Sequence, residues 1–379
     1  MPTLRFGVAV DGTPDDALSG AVLGLEVTES LEAPATFALT LAVDACDDAR
    51  LEHVDDARLA TGTEHVLSVT VSHDTTSHAL VHGLITERRT NLRRGIVGST
   101  LELRGEDRSV LLERLDAATE APQHEEPYAD LVRRLLERVF DRTSIGGLDR
   151  VAVDADHPVR PLGTVRATLE QIAGLHGVRF FVRPELDGDR VRVVAGLEPV
   201  PPREASESPP RLVPTGDARL YVSGGETAPG APPCGTLEAF EVHERGESHV
   251  RSTALSGLPL GTPSDALRDE LGGPEARPIG GRTVGASRGR VASPVTAAGS
   301  LEERSAAQRA ALDDDAWFLT ASTETSVDAY GGVLRPADVV QVVGAGRRYG
   351  GAWLVRSVVH RVSRTGHAMR LELARNSVE

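Results

Sequence analysis

The sequence predicts a β-rich α+β protein in which two similar β-barrel domains are separated by an inserted helical domain. Three observations lead to this prediction. Apolar and polar residues alternate near both ends of the chain, as they do in strands with one buried face. One hairpin pattern occurs near the N-terminus and again near the C-terminus. Between the two copies, the apolar residues follow a helical period.

The recurring hairpin is the most informative of these features. Near the N-terminus, segment 79–88 (ALVHGLITER) precedes segment 99–107 (STLELRGED). Near the C-terminus, segment 351–360 (GAWLVRSVVH) precedes segment 368–376 (AMRLELARN). Leucines stand at the same spacing in both copies, at Leu84 and Leu101 and at Leu354 and Leu371. A recurrence at this distance predicts two copies of one small β-domain with other sequence inserted between them.

Composition limits the class of protein. A chain of 379 residues accommodates two or three domains. Hydrophobic residues make up 40% but aromatic residues only 3%, so we expect cores of Val, Leu and Ala. The formal net charge of −15, with no lysine, argues against nucleic-acid binding as the main role, because a phosphate-binding face needs clustered cations.

The cysteines and the N-terminus indicate the compartment. Two cysteines, Cys46 and Cys234, do not make a disulfide framework or a metal cluster. The first residues enter an alternating strand directly, and no segment reaches the length of about 18 apolar residues that a membrane span needs. We therefore expect a cytoplasmic protein with no membrane segment.

Residues 1–107 are predicted to form the first β-barrel. Apolar residues alternate through 4–10 and 36–43, and a further short segment at 67–71 precedes the hairpin. Gly, Asp and Pro mark the turns between these segments.

Residues 108–199 are predicted to form the inserted α+β domain. Segment 128–140 carries apolar side chains on one helical face, and a second helix is predicted over 165–175 with Gly177 as its stop. Segments 178–182 and 190–194 flank an Asp-Gly turn and predict a β-hairpin.

Residues 200–299 read as a linker with long Pro- and Gly-rich loops, interrupted by strand-like sequence at 236–243. Residues 300–379 are predicted to form a helix, at 301–318, followed by the second β-barrel.

Two short motifs resemble catalytic or nucleotide-binding signatures. Segment 285–289 (GASRG) matches the nucleophile elbow, but Ser287 stands in Gly- and Pro-rich sequence with no helix after it. Segment 344–350 (GAGRRYG) resembles a dinucleotide loop, but a strand follows it, so a hairpin connection is the better interpretation. We therefore predict no catalytic residue and no cofactor.

Clusters of possible metal ligands are equally weak evidence for a functional site. His73, His78 and His82 lie close in sequence, but their spacing does not put ligands two apart on one strand face. Residues 313–315 (DDD) lack the loop pattern of a calcium site and are expected on a solvated helix face or a channel surface. We predict no metal site.

The order of these parts resembles the phage late control gene D family. These proteins are the tail hubs of contractile phages and the hub portion of type VI secretion spike proteins. Residues 101–107 with Leu111 and Leu112 resemble the strand, acidic residue and leucine-rich helix of the family, and 168–182 resembles its helix, glycine and aromatic strand. Residues 334–342 and 351–361 are similar to its closing barrel, although Ala337 and Asp338 replace a frequent glycine.

The resemblance covers about 1–195 and 300–379 and implies a structural protein that is not an enzyme. It implies a homotrimer that forms a pseudo-hexameric ring between a sixfold inner tube and a threefold spike. The partners would be a separate spike protein, an inner tube or tube-initiator protein, and other baseplate proteins, in a phage tail-like particle assembled in the cytoplasm.

Two alternatives remain open at this stage. A tail-associated hydrolase would use Ser287 or an unassigned pair of carboxylates. A β-rich adaptor that binds effectors would use the unmatched region 200–295.

Overall fold

The structure is a computed structural model in which most of the two terminal regions is described. The described residues are 4–44, 51–73, 76–94, 97–117, 126–148, 163–200, 219–221, 237, 239–245, 250–252, 290–291, 310, 314 and 316–377.

The N-terminal region is built almost entirely of strands. They are β1 (Leu4–Val10), β2 (Thr13–Pro14), β3 (Val22–Ser30), β4 (Thr36–Ala42), β5 (Val66–His73), β6 (Thr76–Asn91) and β7 (Thr100–Asp107). Helix α1 (Asp16–Ala21) and a 3-10 turn (Ala57–Leu59) interrupt them. The sequence analysis did not predict α1, whose N-terminus is capped by the Asp15 carboxylate accepting from the Leu18 backbone N–H.

The inserted region alternates helices and strands. It contains α2 (Val110–Glu113), α3 (Tyr128–Leu136), β8 (Arg142–Ile145), α4 (Val165–His176), β9 (Val178–Asp187) and β10 (Arg190–Pro199). The predicted helices and hairpin are present, although α3 ends at Leu136 and not at 140. Gly177 ends α4 at a φ of 65°, the left-handed conformation that glycine adopts without strain.

The C-terminal region returns to strands. It contains β11 (Arg219–Tyr221), β12 (Phe240–Glu244), β13 (Val250–Ser252), β14 (Arg290–Val291), β15 (Leu319–Ser326), β16 (Val339–Val343), β17 (Gly351–Ser363) and β18 (Gly366–Arg375). Two short helices, α5 (Val327–Tyr330) and α6 (Gly346–Tyr349), connect them. The predicted helix 301–318 lies largely outside the described residues. Of its described residues, Ala310 and Asp314 are helical and 316–318 are not.

The two terminal regions share one sheet. Thirteen described strands form it, and its main path runs β12-β15-β18-β17-β3-β4-β7-β6-β5-β1-β2. The prediction of two separate β-barrels is not confirmed, because this path stays open among the described strands. The physical reason is the length of β17, whose 13 residues pair with β16 in the first part and with β3 in the second.

Within this sheet, two groups of five strands have the same arrangement. The first group is β5-β6-β7-β4-β3, and the second group is β16-β17-β18-β15-β12. The long strand of each group carries a β-bulge, after Ile85 in β6 and after Val355 in β17. Because a bulge fixes the local register, these positions align the two groups.

Three large hydrophobic cores correspond to the three regions. The first lies among β1 and β3–β7, and it also contains Val362 from β17. The second surrounds α3 and α4 and covers one face of the small sheet β8-β10-β9. The third lies among β15–β18 and includes the fully buried Trp353. Val362 therefore ties the C-terminal strands to the N-terminal core.

Candidate functional site

The antiparallel pair β3–β17 is the place where the first and second groups meet, and we call it the junction. It pairs Gly24–Ser30 with Ser357–Ser363. Leu25 lies opposite Val362, and both side chains are buried in the first core. Burying one such side chain contributes about 1.5–3 kcal/mol to stability. The junction is therefore an apolar seam on one face of the sheet.

The buried face of the junction also holds a chain of polar side chains. His73 Nε2 lies 3.1 Å from His367 Nδ1, and His367 Nε2 lies 3.0 Å from His360 Nδ1. His360 Nε2 lies 3.4 Å from Glu29 Oε2. If every ring carries its proton on Nε2, each histidine donates to the next group and the last donates to the carboxylate. This chain connects β5 and β3 of the first group to β17 and β18 of the second.

Arg335 provides the charge that balances Glu29. Its Nη1 lies 2.5 Å from Glu29 Oε1, and its Nη2 donates to the carbonyl of Ala79. Burial by itself raises the pKa of Glu29, but the charge of Arg335 and the hydrogen bond from His360 outweigh it and hold the pKa below its usual value. Glu29 is therefore an ionised carboxylate inside the junction.

Burial favours the neutral form of two histidines on this face, His367 and His78. It lowers the pKa of His367 to about 2, with the neighbouring histidines and Arg335 adding to the effect. It also lowers the pKa of His78. Neutral rings can accept and donate hydrogen bonds along the chain, so the arrangement is suited to holding strands together. A substrate or a metal is not required to explain it.

The opposite face of the junction lines a concave surface. An open cavity of about 1130 Å³ lies over β3, β4, β7, β17 and β18. Its charged lining consists of four carboxylates and two guanidinium groups, Glu26, Glu102, Glu106, Asp328, Arg104 and Arg361. Arg361 Nε lies 3.1 Å from Glu26 Oε2 across the junction. This face is polar and carries more negative than positive charge.

Asp107 connects the first group to the inserted region. Its carboxylate accepts from the backbone N–H of Ala35 at 2.7 Å and from that of Ser109 at 2.7 Å. Burial raises the pKa of Asp107, an effect that these hydrogen bonds and Arg166 oppose. Arg166 of α4 donates to Ser109 Oγ at 3.0 Å. The acidic residue of the 101–107 motif thus has a structural role at the start of α2.

In the part of the chain that the structure describes, the residues weighed earlier as chemical candidates do not form one site, although His73 belongs to the histidine chain and its ring centroid lies 6.4 Å from that of His78. Ser287 lies outside the described residues, as does most of 200–299. The 344–350 segment is a connection between antiparallel β16 and β17 that contains α6, which confirms the hairpin interpretation. His82 bonds to Ser68 Oγ at 2.9 Å, away from the histidine chain. Asp314, from the 313–315 run, pairs with Arg179.

Neither a metal-binding group nor a membrane helix is found where the structure is described. No set of three or more His, Cys, Asp or Glu side chains in the described residues is placed to hold a metal ion. None of the described helices is long and apolar enough to cross a membrane.

Sequence reasoning missed the polar cluster of the junction. Glu29 is separated in the chain from Arg335 by 306 residues and from His360 by 331 residues. No local motif reports such a contact. The recurring hairpin pointed to β17, but not to its partner β3.

Comparison with known proteins identifies the fold. No protein-family model and no curated protein matches the chain. Among solved structures, the chain is similar to the 43 kDa tail protein of prophage MuSo2 from Shewanella oneidensis, with a TM-score of 0.59, 11% identity and 99% of each chain covered. It is also similar to the tail protein from Neisseria meningitidis MC58, with a TM-score of 0.59, 16% identity, and 99% of this chain and 98% of that chain covered.

A third similar structure comes from a secretion machine. The E. coli c3393 protein is a component of the type VI secretion system with structural similarity to T4 bacteriophage tail proteins gp27 and gp5. It matches with a TM-score of 0.51 and 11% identity over 98% of this chain and 78% of that chain. These likenesses confirm, for the fold, the resemblance to tail and injection-system proteins that the order of motifs indicated.

Proposed function

We propose that this protein is the structural hub of a phage tail-like contractile injection system. As a homotrimer it would form a pseudo-hexameric ring that adapts a sixfold inner tube to a threefold spike. The observation that carries this proposal is the internal duplication of the sheet, with the same strand order and the same bulge in both groups. The fold that the chain shares with phage tail proteins supports it.

The duplication suits a symmetry adaptor for a geometric reason. A threefold ring of identical chains presents three equivalent faces. If each chain carries two similar strand groups, the ring presents six similar units on one side and keeps true threefold symmetry elsewhere. In this arrangement residues 1–107 and 300–379 form the ring, and residues 108–199 project from it as the inserted domain.

The concave surface supports a channel-lining role. It is polar, and its four carboxylates outnumber its two arginines. The formal net charge of the chain is −15. A lumen of this character would repel acidic cargo and pass it without binding it tightly. The role is mechanical, and we assign no catalytic residue.

The partners follow from this role. They are a separate spike protein, an inner tube or tube-initiator protein, and other baseplate proteins. Assembly takes place in the cytoplasm, in a particle that the cell can release.

The test is to mix the purified chain with a candidate spike protein from a neighbouring gene and to measure the mass of the complex by light scattering. A complex of three chains with three spike chains is the expected result. A chain that stays monomeric with both the tube and the spike partner present would contradict the proposal.

A further inference from the structure

The two groups differ most in what covers the second half of their long strand. In the second group, that half of β17 pairs with β18 on one side and with β3 on the other. In the first group, the corresponding half of β6 pairs with β7 on one side, and no described strand lies on the other. At the opposite end of the sheet, β12 pairs with β15 and is the last described strand. The second half of β6 and strand β12 are therefore two of the open edges of the described sheet.

The residues at these edges align with the residues of the junction. In the first group, one row of cross-strand partners runs from Arg88 through β7 and β4 to Leu25 of β3. In the second group, the same row runs from Val358 through β18 and β15 to Phe240 of β12. Strand β12 therefore occupies the position of β3, and Phe240 the position of Leu25.

The sequences of these two strands agree with this alignment. Residues 25–29 of β3 read LEVTE, and residues 240–244 of β12 read FEVHE. Both glutamates and the valine are identical. The second glutamate is held by an arginine in both strands, Glu29 by Arg335 and Glu244 by Arg348.

We propose that the second half of β6, which has no described strand along one edge, pairs in an antiparallel manner with β12 of a second copy of the chain. Transferring the register of the junction places Leu92 opposite Phe240 and Arg88 opposite Glu244. This inference rests on the proposed trimeric ring and deepens it by naming the strands that join the protomers. In the ring, three internal junctions alternate with three such contacts between protomers.

Exposure of apolar surface at one edge supports this pairing. Leu92 follows β6 directly and is 56% exposed, whereas its counterpart Val362 is 3% exposed at the junction. Phe240 is only partly buried and packs edge-on against Trp353, whereas its counterpart Leu25 is 2% exposed. Pairing the two edges would bury Leu92 against Phe240 as Val362 is buried against Leu25.

The charges of the two edges are complementary. Residues 87–94 carry four arginines and one glutamate. Strand β12 carries two glutamates and no arginine. Opposite charges on facing strands stabilise a pair and select its partner. Because the two edges differ from each other, the contact is head-to-tail and closes into a ring when the rotation per copy allows it.

A disulfide between protomers tests this register. In a chain whose Cys46 and Cys234 are replaced by serine, Leu92→Cys and Phe240→Cys are introduced together. Directly opposed residues of an antiparallel pair lie close enough for a disulfide. Under mild oxidation we expect covalent dimers and trimers on a non-reducing denaturing gel. Phe240→Cys combined with Leu23→Cys, another exposed leucine, is the matched control and should stay unlinked.

The mass of the same samples distinguishes the proposed pairing of β6 with β12 from the proposed trimeric hub. Trimers that are covalently linked only by the 92/240 pair support the inference. Trimers without that link, or linked equally by the control pair, overturn the strand pairing and leave the trimeric hub standing. Monomers without a link, in the presence of the tube and spike partners, overturn both.

A second variant guards against a failure of the disulfide to form. Leu92→Asp places a charge on a side chain that is exposed in the single chain, so the fold, checked by circular dichroism, should be unchanged. We expect Leu92→Asp to raise the dissociation constant of the trimer at least tenfold. Leu23→Asp should leave this constant unchanged. Equal trimer stability in both variants would contradict the proposed edge contact.

Discussion

The two groups of strands place large and small residues in opposite positions. In the first group, Phe37 of β4 lies directly opposite Gly105 of β7. At the equivalent positions of the second group, Ala321 of β15 lies opposite Leu373 of β18. All four residues belong to or adjoin buried layers of the sheet. Total volume is preserved while the side chains are exchanged, which is the kind of change that a packed core tolerates.

This exchange shows that the two groups of strands share their strand order and register more than their residue identities. The bulges after Ile85 and Val355 stand at equivalent positions. When the two groups are aligned on these bulges, β7 and β18 are offset by two residues from the alignment that the sequence alone suggests. The leucine that corresponds to Leu371 is Leu103 and not Leu101. A search for identical residues therefore finds the hairpins and misses the rest of the duplication.

The largest loss of stability is expected where the buried ion pair of Arg335 and Glu29 joins the two groups. Arg335→Leu leaves the Glu29 carboxylate buried without its cation. Removing one partner of a buried ion pair costs about 3–5 kcal/mol, so the free energy of unfolding should fall by that amount in a denaturant titration. A loss below 1 kcal/mol would show that the junction does not depend on this pair.

The exchange of large and small residues predicts that a substitution at Gly105 also lowers the free energy of unfolding. A methyl group at this position would overlap the Phe37 ring and the Leu84 carbonyl. Gly105→Ala should lower the free energy of unfolding by about 1–3 kcal/mol, because the core is overpacked. The control is Gly20→Ala in α1, where a methyl group meets no atom within 4 Å. If both variants are equally stable, the opposition of Phe37 and Gly105 does not limit packing.

Two histidines whose pKa is lowered by burial, His367 in the histidine chain and His82 outside it, make the fold sensitive to acid. An unfolded histidine takes up a proton near pH 6.5, whereas burial lowers the pKa of His367 to about 2 and that of His82 to about 4 in the fold. Below pH 6.5 the unfolded chain therefore binds more protons than the folded chain, and stability falls by about 1.4 kcal/mol per pH unit for each such histidine.

Denaturation midpoints at pH 7.5, 6.5 and 5.5 measure this dependence. His367→Gln removes one titrating group and should give a shallower decrease between pH 6.5 and 5.5. An identical pH profile for the variant and the parent chain would contradict the assignment of a neutral His367 in the fold.

The smallest loss of stability is expected for a substitution on the exposed face of the same junction. Arg361 and Glu26 also pair across β17 and β3, but their side chains are 54% and 51% exposed. Solvent screens such a pair, and its contribution is about 0–1 kcal/mol. Arg361→Leu should therefore change stability far less than Arg335→Leu in the same denaturant titration. Equal losses would remove the distinction between the two faces.

Periodicity predicted the elements whose burial pattern is local. The alternation of 36–43 and the helical face of 128–140 correspond to β4 and α3 because each buries one face against its own region. Contacts between distant strands leave no local signal. The pairing of β17 with β3 depends on the length of β17 and on a register set elsewhere in the sheet, so the candidate site at the junction could not be read from periodicity. The short match of 25–29 with 240–244 reflects the equivalence of β3 and β12, and the sequence analysis did not use it.

The measurement that tests the central claim most directly is the solution mass of the purified chain, determined by light scattering over a range of concentrations. The account predicts a mass three times that of the single chain, which is lost in Leu92→Asp and retained in Leu23→Asp. A strictly monomeric mass for the parent chain at every concentration, in the absence and presence of a spike partner, would contradict it.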